Sequence, residues 1–358
     1  MSLVIFIIVL SVLIIVHEFG HFLTARSLGV KVERFSVGFG PKLWSRMHRG
    51  TEFMVCAIPL GGYVKMAGDE RSQIKGLPEE YYSKPPGHRA LIVLMGPVVN
   101  YVLAYLCLCL VFMLGYPTLS NKVGEVLEGY PAHAAGLQTG DRIIGIDSRP
   151  TDSWEDVKNY ISQSPVSSLE LTIEREGSRL TRTITPQLDV LENIFGQKEE
   201  VPVVGIKPEE EIVTFRYGPG ESILKGGQKL WEITVLTYKA LYRIATGAMA
   251  AKDAVTGPIG IFYIIREAAT MGFSYLLYIV GIISASLAIF NLLPFPVLDG
   301  GHMVFLAVER IRGQSLPEKV EENIARVGIS LLICLALFVF YCDLVRFGWF
   351  DKLFNLWQ

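Results

Sequence analysis

Residues 13–26, LIIVHEFGHFLTAR, set His17, Glu18 and His21 inside a run that is otherwise apolar enough to cross a membrane. Ionisable groups at that depth are costly, and by default they carry function. Residues four apart on a helix share a face, so both imidazoles can reach one metal ion. Glu18, beside the first of them, stands where a general base can take a proton from an attacking water. Three polar side chains merely satisfied inside a helix bundle would be the plainer account, but it leaves the HExxH spacing unexplained.

The rest of the chain agrees with a membrane setting. Its 358 residues are 51% hydrophobic and only 19% charged, where a soluble domain carries about 25% charge. A net charge of −2 gives no argument for nucleic acid. The five cysteines form no CxxC pair and read as buried free thiols, which say little about redox compartment. Four runs are long enough to span, at about 3–23, 91–115, 273–293 and 328–345. The first lacks the basic start and small-residue cleavage site of a signal peptide. Arg26, Lys31, Arg34, Lys84 and Arg89 follow span one, and Arg310, Arg312, Lys319 and Arg326 precede span four. The positive-inside rule puts both loops in the cytoplasm, and both termini with residues 116–272 outside.

Between spans two and three the pattern changes. From 123 to 185 apolar and polar residues alternate with period two between turns, as in half-buried strands. Residues 154–163 read as a short helix. AAGLQTGDRIIGID, 134–147, resembles the signature of a PDZ domain, and VPVVGIKP, 201–208, would supply its last strand. Residues 218–250 carry Leu224, Trp231, Val235, Tyr238, Leu241 and Tyr242 at three- and four-residue spacings, an amphipathic helix for the outer interface or for the face of the PDZ domain. Around Gly61-Gly62, CAIPLGGYVKM alternates in the manner of a hairpin with an unpaired edge.

A catalytic zinc site needs a third protein ligand. NLLPFPVLDGGH, 291–302, ends the third span, and Asp299 is the one acid between Glu267 and Glu309. Irregular backbone at membrane depth survives only when buried in protein or lining a wet cavity. His302 is a rival ligand. Asn100, in MGPVVN (95–100), either bonds near this site or joins helices as ordinary polar glue.

HEFGH in the first span, NLLPFPVLDG at the third and a PDZ-like insertion between spans two and three together resemble the site-2 proteases, intramembrane zinc metalloproteases, and within them the bacterial regulator-of-sigma-E protease group. IPLGGYVKMAGDE (58–70) and TGPIGI (256–261) add to the likeness, which covers nearly the whole chain. The resemblance implies Zn2+ held by His17, His21 and Asp299, with Glu18 as base. It implies that Asn291 holds substrate backbone. It also implies a membrane-reentrant β-hairpin at about 52–68, whose Gly61, Gly62 and Tyr63 would meet an unwound substrate. The better-known sigma-E enzyme has two tandem PDZ domains; here one is legible.

The expected architecture is therefore a polytopic α-helical membrane protein with four transmembrane helices, an inserted extracytoplasmic α+β PDZ domain and a membrane-associated β-hairpin. Its parts are a first half of the protease core (1–115), the PDZ domain (116–210), an amphipathic interfacial segment (211–272) and a second half of the core (273–358). By resemblance, a zinc metalloendopeptidase of the bacterial plasma membrane would cut single-pass membrane proteins within or near their spanning helix. Anti-sigma factors already trimmed by an upstream site-1 type protease, and remnant signal peptides, are the implied substrates. The catalytic centre would lie towards the cytoplasm, and the outer domain would control entry. A metal or proton transporter could use the same His/Glu/Asp cluster, but no inverted repeat relates the two halves.

Overall fold

A computed structural model describes residues 2–164, 167–192, 198–250 and 256–347. Parts of the expected PDZ domain, of the 211–272 segment and of the C-terminal tail lie outside these residues. The chain divides into two compact units, residues 1–110 with 223–358, and residues 111–222.

In the first unit four helices are long and apolar enough to cross a membrane: α1 (Ser2–Ser27), α2 (Pro86–Leu114), α7 (Phe273–Asn291) and α9 (Glu318–Arg346). They match the four expected spans. Phe6, Val9, Leu13, His17, Gly20 and Thr24 are buried along α1, a three- and four-residue stripe that continues straight from hydrocarbon into the polar residues of HEFGH. Phe6, Val9 and Leu13 pack with Ile265 of a short helix, α6 (Pro258–Met271), and with Ile279 and Ile283 of α7. Gly20 touches α2 so closely that a Cβ would strike the Met95 carbonyl.

The strand pair differs from expectation. β1 (Val32–His48) and β2 (Thr51–Met66) are antiparallel, and their tight turn is Arg49-Gly50, both at positive φ. Gly61 and Gly62 lie within β2 and make no turn. The hairpin therefore begins twenty residues before the expected 52. Arg49-Gly50 lacks the Asn-Gly or Asp-Gly chemistry that marks a two-residue turn in a sequence, whereas Gly-Gly mimics it. Both strands bend, so residues 34–37 pair with 62–65 on one side and with 52–55 on the other. Residues 62–66 thus form one edge of the sheet. Phe35 and Phe53 pack on Phe22 and fix the sheet to α1.

The amphipathic helix α5 (Pro219–Ala245) packs lengthwise against α2. Gly226 abuts Cys109, Leu230 is buried with Ala104 and Leu108, and the Tyr101 hydroxyl pairs with Thr234 Oγ1 at 2.8 Å. As α5 advances from 226 to 234, its partners on α2 retreat from 109 to 101, so the two helices are antiparallel. Leu224, Trp231, Tyr238 and Tyr242 remain exposed on α5.

α8 (Asp299–Arg312) follows α7 through the PFP loop. A Cβ on Gly300 would strike the Leu293 carbonyl, and one on Gly301 the Phe295 carbonyl, so the paired glycines let the helix start directly under its own loop. Val297 holds φ at 83°, a left-handed value rare for a β-branched residue. On α9 the buried residues are Gly328, Val339 and Asp343. Asp343 explains TGPIGI: its carboxylate accepts from Gly257 N (3.1 Å) and Gly260 N (3.0 Å), capping α6 where the helix has unpaired N–H groups.

Arg71, between β2 and α2, and Arg89, in the first turn of α2, bind the last two helices. Arg89 pairs with Glu309 of α8, and Arg71 donates to Ser315 and, at 3.0 Å, to Glu321 of α9. Both guanidinium groups sit over the ring of Tyr82, at 5.1 and 5.2 Å.

The second unit is α+β. β5 (Arg142–Ile146) is flanked by β6 (Arg149–Pro150) and β7 (Leu169–Arg175), and β7 by β8 (Ser178–Ile184). β4 (Val123–Val126) pairs with β11 (Ile206–Pro208), so the end of VPVVGIKP does return to the start of the domain. β3 (Tyr116–Leu119) pairs with β12 (Ile212–Phe215), and β9 (Gln187–Glu192) with β10 (Lys198–Val203). α3 (Pro131–Ala134) is a single turn. The expected helix is α4 (Trp154–Ser162), opened by a capping box between Ser153 and Asp156. Ile143, Ile146, Val157, Leu171 and Ile173 form the core. A groove of about 390 Å³ runs between α4 and residues 201–207.

Candidate active site

The two histidines of α1 meet the aspartate that opens α8, some 280 residues later in the chain. His17 Nε2 is 3.1 Å from Asp299 Oδ2, His21 Nε2 is 3.6 Å from Asp299 Oδ1, and the two Nε2 atoms are 3.2 Å apart. His17, His21 and Asp299 are thus brought together within the reach of one ion, with their ligand atoms within 4.8 Å of one another. His302 lines the same cavity but is not part of this group.

Each side chain is set by local packing. His21 Nδ1 donates to the Ile92 carbonyl at 2.9 Å, which leaves Nε2 without a proton and turned inward. Gly96, one turn along α2, lies against the His21 ring, and a Cβ there would collide with it. Asp299 Oδ2 is buried with no hydrogen-bond donor. Two imidazole nitrogens and a carboxylate oxygen that no hydrogen-bond donor satisfies, converging on one point, are a donor set for zinc. The residues present fit that metal.

Glu18 is half-buried and faces the hairpin. Its carboxylate faces the Val64 N–H, and its Cγ lies 3.4 Å from where a Cβ on Gly62 would be. The edge of β2 therefore runs directly past the glutamate. Met66 N–H on the same edge donates to Asp69 at 3.0 Å, and among the described residues no further strand pairs here. Gly61 is covered by the Phe39 ring, and Tyr63 stacks on Phe39 with centroids 6.3 Å apart. Asn291 is half-buried at the end of α7. A cavity of about 470 Å³ opens from Glu18, His21 and Asp299 past His302 to Arg89 and Glu309.

Sequence reasoning did not single out Val64 or the Ile92 carbonyl. Backbone groups carry no residue signature, so only the fold could reveal them. Gly96 was visible as part of GPVVN, four residues before Asn100, but its contact with the histidines was not.

A model of peptidase family M50 matches residues 5–335. A protein of Agrobacterium fabrum, provisionally named zinc metalloprotease Atu1380, is 35% identical over 356 residues, 95% of this chain and 94% of that protein. The regulator of sigma-E protease RseP of Escherichia coli K12 is 33% identical over 447 residues, covering 95% of this chain and 98% of its own length. That alignment exceeds the 358 residues present here, so the E. coli protein holds inserted sequence without a counterpart. Among solved structures, the PDZ domain of an SdrC-like protein from Listeria innocua matches 26% of this chain and 96% of its own, at 24% identity and a TM-score of 0.21. The family match runs without a break from the helix that carries His17 and His21 past the loop that delivers Asp299, and by it the chain belongs to peptidase family M50, the site-2 proteases.

Proposed function

We propose that this metalloprotease hydrolyses a peptide bond within or beside the spanning helix of single-pass membrane proteins. The observation that carries the reading is the position of Glu18, between the converging histidines and an unpaired strand edge. His17 and His21 through Nε2, and Asp299 through its carboxylate, would hold the zinc, which supplies a Lewis acid and lowers the pKa of water to about 7. Glu18 accepts the proton of the attacking water and passes it to the leaving amine.

A helix cannot be cut as a helix, because its amides are tied in i→i−4 bonds. In lipid, freed amides must find new partners. The edge at residues 62–66 offers them, so substrate is read as adding a strand there, with Gly62 and Tyr63 beside the scissile region and Asn291 holding backbone across from them. The hairpin then enters the membrane from the cytoplasmic side, and the catalytic centre lies towards that side of a bacterial plasma membrane. The 111–222 unit is taken as a PDZ domain outside the cell membrane that controls which ectodomains approach. The relative named for regulation of sigma-E supports membrane proteins of a sigma-factor pathway as one substrate class, and within it we propose anti-sigma factors trimmed first by a site-1 type protease.

The test uses purified full-length protein and a single-span peptide substrate in detergent. Cleavage inside or next to the span, abolished by a zinc chelator and restored by zinc, is the expected result. Cleavage that a chelator leaves untouched contradicts the reading.

A further inference from the structure

An imidazole can offer a metal only the nitrogen whose proton sits elsewhere, so the group facing the far nitrogen fixes the ligand. His21 has the Ile92 carbonyl for this purpose. His17 has the same need. Its Nε2 faces Asp299 and His21, so once Nε2 is given to the ion the proton sits on Nδ1 and needs an acceptor. Among the described residues, the one side chain within hydrogen-bond reach of that Nδ1 is Asn100, whose Nδ2 is 3.5 Å away.

As the amide stands, Asn100 Nδ2 faces His17 Nδ1 and can only donate to it, which suits a His17 protonated at Nε2 and not one that gives Nε2 to a metal, while Asn100 Oδ1 is buried with no donor. Amide oxygen and nitrogen exchange places by a half turn about χ2 at almost no change in shape. The half turn sets Oδ1 against His17 Nδ1, where it can accept. We propose that Asn100 is a positioning residue for the metal centre, its Oδ1 accepting the proton of His17 Nδ1 and so presenting His17 Nε2 to the ion. This rests on His17 being a zinc ligand.

The surroundings separate this role from helix glue. Asn100 is fully buried where α1, α2 and α7 meet. The hydrogen bond that joins α2 to α7 at this point is Ser284 Oγ to the Asn100 backbone carbonyl, 2.8 Å, which any residue would supply. The side chain is left for the histidine. Ile92, Gly96 and Asn100 fall four apart on one face of α2, matching the four-residue step of His17 and His21 on α1. One residue accepts from His21, the next is bare beneath the rings, and the last accepts from His17.

The experiment uses full-length protein with Asn100→Leu, which keeps the volume and removes the acceptor, and Asn100→Asp, which keeps an acceptor oxygen. Zinc affinity is measured by chelator competition, and the His17 tautomer by ¹⁵N chemical shifts. Asn100→Leu should bind zinc about 10–100-fold more weakly, the usual cost of losing a ligand's outer partner, and Asn100→Asp should recover most of it. Zinc affinity unchanged in Asn100→Leu, or as weak in Asn100→Asp as in Asn100→Leu, overturns the proposal. If Asn100→Leu does not fold, zinc-loaded native protein decides: His17 bound through Nε2 with the proton on Nδ1 supports the proposal, and His17 bound through Nδ1 overturns it. Native protein that holds no zinc yet carries His17 protonated at Nδ1 would sink the metalloprotease reading and leave this hydrogen bond standing.

Discussion

Gly96 of α2 lies against the imidazole of His21 with no space for a methyl group between them. The histidine can retreat only by giving up the hydrogen bond from its Nδ1 to the Ile92 carbonyl on the same helix. Gly96→Ala should therefore turn the ring away and weaken zinc binding by about 10-fold or more. Gly87→Ala, where nothing lies within 4 Å, should leave it unchanged. Metal content of the two purified variants, set against native protein, checks both statements.

The choice of third ligand gives a second test. A neutral amide oxygen is a poorer zinc ligand than a carboxylate, so Asp299→Asn should lose zinc and activity together. His302→Ala removes a side chain of the cavity wall and should keep its zinc. Metal retained in Asp299→Asn and lost in His302→Ala would reverse the assignment.

Arg89 and Glu309 form a nearly buried pair that ties the start of α2 to α8. Arg89→Met leaves the glutamate alone, and should destabilise the protein by about 3 kcal/mol, the low end for a broken buried pair because Glu309 still borders the cavity. Adding Glu309→Leu should restore much of the loss. Thermal unfolding of the single and double variants in one detergent measures it.

In the second unit, burial of Asp141 would raise its pKa, but the Arg175 guanidinium and the Gln138 N–H overcome burial and hold it below the usual value. A depressed folded-state pKa contributes stability that is present above the unfolded value of about 3.9 and disappears as pH falls through the folded value. The denaturation midpoint of this unit should drop on acidification below about pH 4, and Arg175→Met should flatten that part of the profile.

What the sequence discloses here is what hydrocarbon enforces. Four apolar runs became α1, α2, α7 and α9, since a spanning segment has no other way to satisfy its backbone. The His17–His21 spacing and the isolation of Asp299 in a Gly-Pro break were enough to foresee their convergence. The turn at Arg49-Gly50 was hidden because its residues carry no turn signature, and Gly61-Gly62 drew attention for the wrong reason. Their missing side chains serve close approach to Phe39 and Glu18. The path of α5 along α2 was out of reach because an amphipathic pattern shows that one face is covered but not by what. Arg71 and Arg89 find partners more than 200 residues away, a pairing that no local pattern encodes.

The central claim is that Glu18 handles the proton at a metal centre built from His17, His21 and Asp299. Glu18→Gln tests it most directly, since the amide keeps the shape and removes the basicity. Zinc content and cleavage of a single-span substrate are measured on the same purified sample. Zinc should stay bound while cleavage falls by about 10²–10⁴-fold, the range for loss of a general base. Cleavage at the native rate in a zinc-loaded Glu18→Gln protein would contradict the account.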